Sequence, residues 1–143
     1  MAEYLTHDLI LNLGEDMPED LTLNMLHFSL RGTTLVIARS PVASEKTLDE
    51  ALEDQLRMLR NKSKTMTISP TQVAQLGADE HTVEARELCI KFMVGDKPNY
   101  QQQAACLIPG EPRLLVLNYS KPSPLSDNDV EHWRTIKQKL RFA

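Results

Sequence analysis

The most useful features of this 143-residue sequence are the ones it is short of. Two cysteines, Cys89 and Cys106, are too few for a disulfide scaffold or a thiolate metal cluster. Both fall in strand-like runs and read as reduced core residues, with a disulfide between neighbouring strands left open. Five glycines include no phosphate-cradling loop and no G-x-S-x-G turn. His7, His27, His81 and His132 are scattered, without H-E-x-x-H or i,i+4 spacing, so no metal site is expected. Cys89 has no neighbour in sequence that would lower its pKa, which argues against a catalytic thiol. Sixteen Lys and Arg against twenty Asp and Glu leave a net charge of −4, unsuited to a nucleic-acid partner. No apolar run approaches the roughly 20 residues of a membrane span. Met1-Ala2-Glu3-Tyr4 also lacks the basic start and apolar stretch of a secretory signal. The carboxylates sit at turns and helix starts, where solvation or capping accounts for them. The sequence is thus expected to be neither an enzyme nor a carrier of a cofactor.

What is present is 41% hydrophobic and 25% charged, the composition of a globular protein, and its length suits one domain over residues 1–143. The dominant element is a helix expected over residues 47–64. Thr47 and Glu50 form a T-x-x-E capping box, and Arg57, Arg60, Lys62 and Lys64 favour the far end of the dipole. Leu48, Ala51, Leu52, Leu56 and Leu59 make one apolar stripe, and Gln55 falls in its middle. A buried amide costs about 1–3 kcal/mol unless it is paired. Either nearby backbone satisfies Gln55, or the stripe lines a surface that meets something apolar carrying polar groups of its own.

Residues 6–13 read as a short strand, followed by an acidic turn at 16–20. Residues 21–30 and 33–40 form a hairpin around Arg31-Gly32 that is apolar at both parities: Leu21, Leu23 and Met25 against Leu26, Phe28 and Leu30, then Val36 and Ala38 against Leu35 and Ile37. A hairpin with one wet face would alternate, so both faces are expected to be covered. Beyond the helix, strands are expected over 65–74 (with Pro70 marking an edge or bulge), 81–94, 100–108 and 113–120. Gly95-Asp96-Lys97-Pro98 is read as the turn between the second and third of these. A last helix starts at the N-cap Ser126 and carries Val130, Trp133, Ile136 and Leu140 on one stripe. The expected class is α+β: a curved, mostly antiparallel sheet of six or seven strands with two helices. The second face of the first hairpin and the helix stripe hold more apolar surface than one small core needs. It is covered by the last helix and a loop, or it serves a homodimer interface, a groove for an apolar ligand, or both.

The layout of short strand, hairpin, Thr47-Leu48 helix, meander with Tyr100-Gln101-Gln102-Gln103-Ala104, and final helix with Trp133 resembles the DcrB-like domains, of Mog1/PsbP-like fold. The similarity runs over nearly the whole chain. Some members are exported lipoproteins, with a signal and a lipidated cysteine that this sequence does not show. The other branch, which its length fits, is the Eag chaperones of bacterial type VI secretion systems. That resemblance implies a cytoplasmic homodimer, not itself inserted in a membrane. Its apolar groove would shield the N-terminal transmembrane helices of a PAAR- or Rhs-type effector until loading on the secretion spike. It also implies groove glutamines, matched by position to Gln55 and, by its shared face with Tyr100, Ala104 and Cys106, to Gln102. The apolar groove positions are then Leu21, Leu23, Met25, Val36, Ala38 and Leu59. The alternative is a non-catalytic interaction module of the same fold docking on a folded partner.

Overall fold

The structure, a computed structural model, describes residues 3–16, 18, 21–43, 45–62 and 65–142. The acidic turn expected at 16–20 and the expected helix end at Lys64 fall partly outside them.

Residues 6–13 are not one strand. The chain doubles back on itself as β1 (Glu3–Leu5) and β2 (Ile10–Asn12), a separate two-stranded antiparallel sheet. The reversal is built locally, because the Thr6 hydroxyl accepts from the backbone amides of Asp8 and Leu9. The rest is one seven-stranded antiparallel sheet: β3 (Asn24–Phe28), β4 (Thr33–Pro41), β5 (Thr67–Ile68), β6 (Gln72–Leu76), β7 (Val83–Val94), β8 (Lys97–Leu107) and β9 (Arg113–Lys121). In space the order is β3-β4-β9-β8-β7, and both β5 and β6 pair with the far side of β7. Pro70 lies between those two short strands, because a residue with no amide hydrogen cannot continue the ladder. Lys97 and Pro98 belong to β8, so the expected four-residue turn narrows to Gly95-Asp96.

The sheet is apolar on both faces because each face carries a helix. Helix α1 (Leu48–Lys62) closes its N-terminus with the expected capping box: Thr47 N donates to Glu50 Oε1 at 3.1 Å, and Glu50 N to Thr47 Oγ1 at 3.2 Å. Its Ala51, Leu52 and Leu56 bury against Leu88, Ile90, Ala105, Leu114 and Val116. Arg86 on β7 holds the first turn of α1 through Asp49, with Nε–Oδ1 at 2.8 Å and Nη2–Oδ2 at 3.3 Å, the two-pronged geometry that suits a guanidinium.

Helix α2 (Asp127–Lys139) covers the opposite face. Ser126 caps it, and Asp129 completes a reciprocal capping box while accepting from Lys121 Nζ at 3.0 Å. Those bonds, with the Ser126 backbone amide foremost, hold the Asp129 carboxyl below the ordinary carboxylate range. Trp133 stacks on Tyr119 at 5.6 Å, inside a core of Leu35, Leu76, Ala85, Ala104, Cys106 and Leu117. Tyr119 also hydrogen-bonds His132 Nδ1 at 2.8 Å, with Phe28 edge-on to the imidazole at 4.7 Å. Burial, then the nearby Arg31 charge, lower the His132 pKa.

Two expectations fail here. Cys89 is exposed and only Cys106 is buried, and both thiols are free. The two face Gln102 and Ala85 at separate points of the β7–β8 ladder, so they do not meet. The first hairpin is not covered on both faces either: β4 is half-buried on the α1 side, and of the apolar side chains of the edge strand β3 only Phe28 packs into a core. Met25 is 67% exposed on one face and Leu26 49% on the other.

Candidate functional site

Helix α1 lies over the middle of its face, on β8 and β9, so that on this side β4 is only partly covered and Met25 of β3 is open. Burial therefore falls in steps across the sheet, from Leu114 and Val116 on β9, to half-buried Val36 and Ala38 on β4, to exposed Met25 on β3. The register places these side by side: Val116 opposite Ala38, and Val36 opposite Met25. The result is a trough with α1 as its one wall. Its deepest part is a cleft of about 430 Å³ between α1 and β4, lined by Ala38, Val42, Gln55, Met58, Leu59 and Val116. A Lys46–Asp54 ion pair stands at its rim, and the Lys46 hydrogen bond holds the Asp54 carboxyl below the ordinary carboxylate range.

Of the groove residues named from sequence, Ala38, Gln55 and Leu59 meet in the cleft. Val36 and Met25 continue its floor outwards, and Leu21 and Leu23 lie exposed on the segment leading into β3. Gln102 is not among them. It pairs with Tyr119 and Cys89, on the face that α2 covers, and its Oε1 accepts from Cys89 Sγ at 3.3 Å. The residue that meets the helix glutamine is Gln103, whose Nε2 donates to Gln55 Oε1 at 3.2 Å. On a strand a one-residue error reverses the face. Here both parities of β8 were credible as core, since Ala104 and Ala105 are both fully buried.

The sequence reading also missed Met58, exposed on the trough wall, and a row of amides on the trough face. Asn99, Gln101 and Gln103 alternate along β8 on that face, and Gln101 Nε2 donates to Asn118 Oδ1 on β9 at 2.8 Å. Gln103 is 1% exposed, yet among the described residues its Oε1 has no partner, and neither does the buried Oδ1 of Asn99. The signal in sequence was the alternation itself, asparagine then two glutamines at i, i+2, i+4. Among the described residues no three His, Cys, Asp or Glu side chains gather as metal ligands, and no helix is long and apolar enough to cross a membrane.

Comparison with known proteins places this architecture. The family model for DcrB matches residues 9–139. The chain belongs to the DcrB family. No curated protein matches it in sequence. Among solved structures it is similar to PA94 from Pseudomonas aeruginosa, a protein of unknown function suggested to be a regulator. The TM-score is 0.71 at 15% identity, covering 100% of this chain and 97% of the other, which is likeness of fold. Among the described residues this DcrB-family chain thus combines an α+β fold of seven principal strands and two α-helices with an apolar trough open on one side.

Proposed function

We propose that this DcrB-family protein is a cytoplasmic, non-enzymatic chaperone of the Eag kind. It would hold the N-terminal transmembrane helices of a PAAR- or Rhs-type type VI secretion effector, working as a homodimer, until the effector is loaded on the spike. The observation that carries the reading is the trough, whose outer floor at Met25 and wall at Met58 lie in water in the single chain. Leaving side chains such as Met25, Met58 and Leu23 exposed forgoes about 1.5–3 kcal/mol each, so such a surface implies an occupant. The dimensions suit a helix. Strand β4 spans nine residues, about 30 Å at 3.3 Å per residue, and a membrane-crossing helix of about 20 residues is also about 30 Å long.

The amides supply what a purely greasy trough would lack. Transmembrane helices that pack through small residues carry Ser and Thr hydroxyls, which need partners out of water. Gln55 faces the cleft with its Nε2 and one lone pair available, while Gln103 from below fixes its orientation. Gln55 is then the contact and Gln103 the positioning residue.

The test is co-expression with the N-terminal region of a PAAR- or Rhs-type effector encoded beside this protein's gene. Wild type should co-purify with it, and Leu23→Glu or Met25→Glu should lose it while keeping the wild-type melting temperature, since both positions are exposed. Unchanged capture by both variants refutes the trough. Capture of a folded, water-soluble partner through a polar surface would favour a docking module instead.

A further inference from the structure

Helix α2 leaves part of its own face of the sheet open. Its apolar stripe begins at the surface, with Val130 40% exposed where Trp133 is 4% exposed. Beside Val130 lies a second cavity, of about 360 Å³, walled by Pro124 and Leu125. The ladder sets its floor as two rows of side chains. Thr67, Lys91 and Tyr100 stand in one row, and Cys89 and Gln102 in the next. An enclosure of this size, part apolar and part polar, suits a small ligand.

The floor is rich in hydrogen-bond donors and poor in acceptors. Gln102 Oε1 is taken by Cys89 Sγ at 3.3 Å, which leaves the Nε2 of that amide as a donor. Ser69 at the cavity edge is also spent, since its Oγ accepts from Cys89 N at 2.8 Å. Among the described residues Lys91 is the one charged side chain lining the cavity, and its Nζ stands over the Tyr100 ring, 5.3 Å from the centroid. The neighbouring charges on this face are paired off, Lys121 with Asp129 and Lys137 with Glu87. Lys91 has no carboxylate within ion-pair distance among the described residues. In a chain of net charge −4, the cavity is a local positive spot that lacks an anion.

We infer that this cavity binds a carboxylate carried on a small apolar body, either a free branched acid or the last residue of a polypeptide. The carboxylate accepts from Lys91 Nζ and Gln102 Nε2, and the alkyl group lies against Pro124, Leu125 and Val130. Hydrogen bonds from an ammonium to a carboxylate are shorter and stronger than neutral ones, so the charge sets the preference. A phosphate fits less well, because a single ammonium leaves its second charge unmatched and it has no use for the apolar wall. The cavity shares no lining residue with the cleft beside α1 and lies on the other face of the sheet. It therefore stands or falls separately from the chaperone reading.

The experiment is a nuclear magnetic resonance titration of the nitrogen-labelled full chain with isocaproate and with its neutral amide. Both are taken to about 20 mM, above the millimolar Kd expected of so small a ligand. Isocaproate should give saturating shifts centred on residues 89–91 and 100–102 and on the Gln102 side-chain amide, and the neutral amide should bind at least tenfold more weakly. Lys91→Gln, at an exposed position, should keep the wild-type melting temperature and lose the preference for the acid. The peptide Gly-Gly-Leu with a free carboxylate separates the two sources. Tighter binding than isocaproate assigns the site to a chain terminus and weaker binding to a free acid, and either upholds it. Saturating shifts absent from the cavity, an amide that binds as tightly as the acid, or a Lys91→Gln variant with its preference intact overturns the site. Met25→Glu should bind isocaproate as wild type does. Loss of binding in that variant would place the ligand in the trough and likewise overturn the site.

Discussion

Gln55 and Gln103 form an asymmetric pair, and the asymmetry predicts opposite signs for two similar substitutions. Gln103 is 1% exposed, donates to Gln55 Oε1 and leaves its own Oε1 unpaired; Gln55 is half-buried at the cleft and can turn to water. In Gln103→Leu the unpaired buried acceptor disappears, which recovers about 1–3 kcal/mol, while the lost hydrogen bond costs about 0.5–1.5 kcal/mol. A leucine of similar volume is also at home between α1 and β8. The net expectation is a gain of about 1 kcal/mol, or roughly 2–4 °C in melting temperature for a chain of this size. Gln55→Leu does the reverse. It leaves both ends of the buried Gln103 amide without partners, and stability should fall by about 1–3 kcal/mol. The double substitution should return to at least wild-type stability, a coupling that a thermodynamic cycle from urea melts reads directly. Effector capture should weaken in all three. The result that refutes the reasoning is Gln103→Leu losing more than about 1 kcal/mol, since the amide would then be a satisfied part of the fold rather than a strained part of the site.

Other expectations follow from the two cores. Trp133→Ala removes the buried ring that stacks on Tyr119 and should cost about 3–5 kcal/mol in chemical denaturation. Burial pushes the Cys106 thiol up to about 11, whereas Cys89 is exposed. A thiol-reactive dye at pH 8 should therefore label about one cysteine in the native protein and about two after unfolding. The His132 pKa is lowered in the folded state from its ordinary 6.5, so the unfolded chain binds the extra proton first. Stability should be level above that value and decline as the pH falls through it towards the depressed folded value. His132→Gln should flatten that segment of a melting-temperature profile, and an unchanged slope would assign it to another group.

Much of the fold was legible because periodicity and caps are local. The Thr47/Glu50 and Ser126 caps place both helix starts to within a residue, and Pro70 correctly marks an edge. The long strands β7, β8 and β9 also fall close to where their apolar runs lie. What was not legible is what depends on the partner across the sheet. Residues 6–13 read as a single strand because nothing in their composition shows that Thr6 will turn the chain. The hairpin of β3 and β4 is equally apolar in both strands, yet Met25 and Leu26 of β3 are exposed while Leu35 of β4 is buried, because coverage depends on where the two helices come to rest. Gln102 and Gln103 are the same residue type on adjacent positions, and only the register with β9 decides which one meets Gln55. The excess of hydrophobicity around Met25, Val36 and Ala38 was therefore legible, but not which amide of β8 meets Gln55.

Pro70 has a consequence beyond local geometry. The two ends of the main sheet are unlike: one is the continuous, uncharged β3, the other a rank broken into β5 and β6 where a proline interrupts the hydrogen-bonding row. A sheet with two templating ends would add copies indefinitely and grow into a fibre. With the second end spoiled, edge-to-edge addition to this sheet is confined to the first, and such a fibre has no way to propagate.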